Sequence, residues 1–103
     1  MKKSTKATSI KKEVKQKVWE RDNHRCIYCG RQVPVECACS HFIKRSHLGL
    51  GIEQNIVTAC HNCHYKYDFT EDYPKMYKYT WNYLSSLYEG LNKENLVYHK
   101  YSY

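Results

Sequence analysis

Two stretches of the chain carry helical apolar periodicity, and a short extended segment lies between them. Residues 1–10, MKKSTKATSI, are polar and show no apolar period, so they are expected to form a flexible basic arm. From Lys11 to Arg21 the pattern KKEVKQKVWER sets Val14, Val18 and Arg21 on one helical face with Trp19 beside it. Asp22, Asn23 and His24 then break that helix. Gly30 follows the segment CIYC, where a tight turn needs a permissive backbone. Val33 to Phe42 reads as a short β-hairpin, with Pro34 near its start and VECACSHF as its extended part. HLGLG, residues 47–51, is a glycine-punctuated loop. The segment NIVTACHNCHYKYD opens at Asn55, extended or turn-like, and continues as a helix to about Asp68. Pro74 suits the first turn of a last helix. There Tyr73, Tyr77, Trp81, Leu84 and Tyr88 recur at i, i+4, i+8, i+11 and i+15, a stripe that ends at Gly90. Such a stripe is read as core before it is read as a base-stacking platform. LNKENLVYHKYSY, the last segment, shows no pattern.

The periodic positions are too few to hold a fold by burial alone. Leu, Ile, Val and Phe number 19 of 103 residues, just under the roughly 20% at which a strongly charged chain is usually disordered. Length allows one domain. The six cysteines are the candidates for the missing stabilisation, as disulfides or as metal ligands. The cationic N-terminus has no apolar run behind it, so it does not read as a secretory signal. No stretch approaches the roughly 18 apolar residues of a membrane span. A reducing, cytoplasmic setting is therefore expected, and with it metal rather than disulfides.

Charge is unevenly placed. Residues 1–25 hold nine basic and three acidic side chains, residues 26–103 eight and seven. A basic arm on a near-neutral body suits a polyanion such as DNA or RNA. A solubilising tail explains the charge equally well.

The motif that changes this picture is a pair of CxxC knuckles, Cys26-x2-Cys29 and Cys60-x2-Cys63. One such loop presents two sulfurs to an ion, so a tetrahedral Zn²⁺ site needs both. Structural zinc supplies roughly 10–16 kcal/mol in finger peptides, comparable with the whole stability of a small domain. The knuckles would clamp the hairpin onto the later helix and fix the distance between His41 and His64. Cys37 and Cys39 are the surplus pair. On an extended strand they share a face with Val35 and His41, and they are read as small buried apolar residues. A thiol redox or zinc-carrier protein is the rival reading, but it calls for one activated CxxC rather than two knuckles and a basic arm.

With the knuckles placed, the approach VWERDNHRCIYCG, the motif SHFIKRS, the Asn of GIEQNIVTAC and the terminal CHNCHYKYD follow in order. From about Val18 to Asp68 the chain resembles the HNH endonucleases, the ββα-metal or His-Me-finger nucleases, in the small zinc-stapled form common in phages and mobile elements. The resemblance implies a role for each matched residue. His41 would be the general base that takes a proton from the attacking water. Asn55 would tie the loop and turn the other histidine nitrogen toward a backbone carbonyl. His64, with Asp68 one helical turn on, would hold a single catalytic divalent cation (Mg²⁺, Mn²⁺, Ni²⁺ or Zn²⁺). Lys44, Arg45 and His47 are placed to grip phosphates. One position departs: many members carry Asp or His as a further ligand just before the base, and this chain has Ser40.

The expectation is thus an α+β fold with a ββα-metal core stapled by a four-cysteine zinc. Residues 1–10 form the arm and 11–103 one domain, with the zinc core at 11–68 and the aromatic helix and tail at 69–103. The expected activity is metal-dependent hydrolysis of double-stranded DNA, leaving 5′-phosphate and 3′-hydroxyl ends, in the host cytoplasm if the chain is phage-encoded. The alternative is a non-catalytic nucleic-acid-binding module of the same fold, which Ser40 favours. The last helix lies outside the resemblance and is open to packing, dimerisation or a partner such as phage packaging or recombination proteins.

Overall fold

A computed structural model describes residues 3–99, and side chains from residue 5. Among the described residues the chain runs α1 (Lys3–Thr8), α2 (Lys12–Arg21), β1 (Ser40–His41), β2 (Ile56–Val57), α3 (His61–Phe69) and α4 (Tyr73–Leu87). Short 3₁₀ turns occupy Val35–Cys37, Arg45–His47 and Lys93–Leu96. The strands pair antiparallel, with Ser40 opposite Val57 and His41 opposite Ile56. The α+β class and the ββα order β1–β2–α3 are therefore present.

Two expectations need correction. The hairpin does not span Val33 to Phe42. Pro34 begins a curl in which the amides of Cys37 and Ala38 bond back to the carbonyls of Pro34 and Val35, and only Ser40–His41 is strand. Cys37 and Cys39 consequently share no strand face, and both are half-buried rather than core. Nor do the described residues of the 1–10 segment form a free arm. Lys3–Thr8 is helical, Thr8 is buried, and the Ala7 carbonyl accepts a hydrogen bond from the Gly51 amide at 3.0 Å.

The core is assembled from three clusters. One gathers Val18, Ala38 and Ile56, with Val14 and Trp19 of α2 packed on it. A second holds Phe42, Val57, Leu84 and Leu96. Phe42 stacks on Tyr77 and Trp81 with ring centroids 4.6 and 5.7 Å away, so the α4 stripe is packing surface. The third is built from Cys26, Ala59, Cys60 and Cys63 themselves. Arg21, at the end of α2, links these parts. Its guanidinium pairs with Asp22 and donates to the carbonyls of Glu53 and Ile56 and to the Tyr88 hydroxyl. Asp22 in turn accepts from the Thr58 amide and the Tyr83 hydroxyl. The C-terminal segment, patternless in sequence, is pinned by Leu50 N–H to the Leu96 carbonyl and Tyr98 N–H to the Leu48 carbonyl, each 2.8 Å.

Candidate active site

Local backbone chemistry sets the two knuckles. After the first, Gly30 adopts φ +78° and its amide returns to the Cys26 carbonyl at 2.9 Å. That left-handed turn favours glycine. In the second, Cys60 caps the N-terminus of α3, its sulfur accepting from the Cys63 amide at 3.5 Å. The Cys29 amide approaches the Cys26 sulfur in the same way.

One ligand atom from each of Cys26, Cys29, Cys60 and Cys63 lies within 4.8 Å of the others. Cys29 Sγ and Cys60 Sγ are 3.7 Å apart. Sulfurs bound tetrahedrally at about 2.3 Å sit roughly 3.8 Å from one another, so the donor set and its spacing are compatible with a zinc site. Burial opposes ionisation of the Cys60 thiol, but the Cys63 amide and the neighbouring thiols outweigh it and bring it down to about 7. Cys63 is pushed up by burial and by its neighbours. Full ionisation of four packed thiols needs a cation among them.

A cleft of about 690 Å³ is lined by Ser9, Lys15, Cys39, His41, Lys44, Arg45, His64, Asp68 and Phe69, among others. His41, on β1, has its Nε2 2.8 Å from the Thr8 carbonyl. A carbonyl only accepts, so Nε2 carries the proton and Nδ1 is left as the basic nitrogen. Burial lowers the His41 pKa below its ordinary value. The Thr8 hydrogen bond works against this, while Arg45 and His64 add to it. The imidazole is therefore neutral at pH 7.

His64 and Asp68 face each other one turn apart on α3, with Nε2 to Oδ2 3.1 Å and each side chain about a third exposed. Two ligands at about 2.1 Å on adjacent vertices of an octahedral ion are roughly 3.0 Å apart, so this pair fits a hard divalent cation.

Asn55 is fully buried and lies outside the cleft. Its Oδ1 accepts from the Ile43 amide, and its Nδ2 donates to the Ile43 and Leu50 carbonyls. It ties the loop between the strands, but it makes no hydrogen bond to His41. The carbonyl on the histidine belongs to Thr8.

Of the expected phosphate ligands, Lys44 and Arg45 line the cleft. Lys44 donates to the Asp68 carbonyl and sits over the Tyr73 ring. Arg45 donates to Thr8 Oγ1 and Ser9 Oγ. His47, on the outer side of its 3₁₀ turn, is exposed and does not line the cleft. Ser40 is buried and likewise lies outside it. Cys39 is the side chain beside His64, Sγ to Nδ1 4.0 Å. Cys39 is not legible as a cleft residue in the sequence, because its period of two implies a strand where the chain curls. Ser9 and Lys15 carry no motif that would have flagged them.

Residues 26–69 match the family model described as HNH endonuclease. No curated protein and no solved structure matches the chain.

Proposed function

Residues 26–69 carry an HNH endonuclease domain, a nuclease-type module, and from that premise we propose that the protein is a metal-dependent DNA endonuclease with His41 as its general base. The observation that carries the proposal is the convergence on one cleft of a neutral imidazole, its Nδ1 free, and the His64–Asp68 pair. Lys15, Lys44 and Arg45 on the same walls give it the charge that a phosphodiester needs.

His41 Nδ1 accepts a proton from water as the water oxygen bonds to phosphorus. The bond from phosphorus to the 3′ oxygen breaks, that oxygen takes a proton from solvent, and the products carry 5′-phosphate and 3′-hydroxyl ends. Arg45 and Lys44 hold the phosphate oxygens in line with the base. His64 and Asp68 would hold a divalent cation, which would supply neutralisation of the charge that develops on the leaving oxygen. Cys26, Cys29, Cys60 and Cys63 would hold a structural zinc that ties the start of α3 to the first knuckle.

A second reading has a specific observation behind it. The position before the base is a buried serine, which leaves two strong donors for the catalytic cation. A fold of this kind with too weak a hold on the ion would grip nucleic acid without cutting it. The proposal is tested on end-labelled duplex DNA with Mg²⁺, Mn²⁺ or Ni²⁺, followed by end-group mapping. Cleavage that needs the added cation and yields 5′-phosphate ends supports the enzyme. Retardation of DNA with no product under any cation supports the binding module.

A further inference from the structure

The carbonyl that orients His41 comes from the N-terminal helix, outside residues 26–69. Resting on the nuclease reading above, we propose that the segment Thr5–Ile10 is a positioning element of the catalytic site, with Gly51 as the seat that docks it.

Three sets of contacts carry this. The first is the His41–Thr8 hydrogen bond, 2.8 Å, which leaves the ring little freedom about its second torsion. The second is the seat. The Gly51 amide donates to the Ala7 carbonyl at 3.0 Å, and a Cβ on Gly51 would meet the Ser9 carbonyl oxygen at 2.1 Å. The absence of a side chain at residue 51 is thus what admits the segment. The third is Arg45, which donates to Thr8 Oγ1 and Ser9 Oγ, so the same segment also holds a phosphate-binding candidate in place. The Leu50 carbonyl next to the seat is held by Asn55. A path of direct contacts therefore runs from Asn55 through residues 50 and 51 to the N-terminal segment and on to the base.

Two variants test the proposal by different routes. Gly51→Ala closes the seat. Ser9→Pro keeps Gly51 but drives Thr8 out of helical backbone, turning its carbonyl away from the ring, and it also removes the hydroxyl to which Arg45 donates. In ¹⁵N-labelled, zinc-loaded protein the wild type should show a slowly exchanging His41 Nε2–H signal, absent from both variants. A misplacement of the order of 1 Å costs about 100-fold in rate. The expected result is a kcat lower by one to two orders of magnitude, with no change in zinc content. Wild-type kcat in a variant that has lost the Nε2–H signal overturns the proposal, and so does a wild type that lacks the signal. Failure of the nuclease reading looks different: the signal behaves as described while the wild type cuts no DNA.

Discussion

Asn55 makes three side-chain hydrogen bonds, all to backbone, and all three hold the loop that follows β1. Replacing it with alanine strands one buried N–H and two carbonyls, so Asn55→Ala should lower unfolding stability by about 3 kcal/mol, measured by urea denaturation of the zinc-loaded protein. His41 yields a pH prediction with a definite sign. Its folded pKa lies below the ordinary value, about 6.5, so on acidification the unfolded chain takes up the proton first. His41 therefore makes folding stability fall as pH drops below about 6.5. As a base it must be neutral, so the acid limb of kcat/KM should have its midpoint below about 6.5. A midpoint at or above that value would show that His41 is not the titrating group. His41, His64 and Asp68 were legible in the sequence because motif order and the i, i+4 spacing bring them together. Thr8 was not, because a backbone carbonyl has no residue-type signature.

At the scale of elements, α2 and α4 follow their sequence periodicity most closely, whereas α1 lies in a stretch with no apolar period. Val14 and Val18 packed as their spacing required, and the aromatic stripe of α4 became core. The hairpin was the poorest reading. Alternation in VECACSHF looked like strand, but proline and the following 3₁₀ turn leave two residues paired to each strand. The partner strand arrives only after the whole intervening loop, so its register is set by long-range contacts. Arg21 is the clearest of these. Its side chain is 13% exposed against a fully buried Asp22, and three of its five hydrogen bonds reach away from α2, to Glu53, to Ile56 of β2 and to Tyr88 beyond α4. Removing one partner of a buried pair leaves the other uncompensated. Arg21→Ala should therefore cost about 3–5 kcal/mol, read as a shift in the urea midpoint. A change under about 1 kcal/mol would place the pair among surface ion pairs.

For the molecule as a whole, the shortage of apolar residues and the cysteine knuckles describe one design. One of the three core clusters contains Cys26, Cys60 and Cys63, three of the four cysteines that could hold a metal, and the proposed zinc there would supply binding energy on the scale of the whole fold. Stripping the protein with a strong chelator should abolish cooperative thermal unfolding and most helical circular dichroism, and restoring Zn²⁺ should recover both. A chelated protein that keeps its melting transition would show that the cysteines are ordinary core. The role of His41 is tested most directly by nicking of supercoiled plasmid by the wild type and His41→Ala, both zinc-loaded and supplied with Mg²⁺ or Mn²⁺. The expected outcome is cation-dependent nicking by the wild type and a loss of about 100-fold or more in the variant. Equal rates from the two proteins would contradict it.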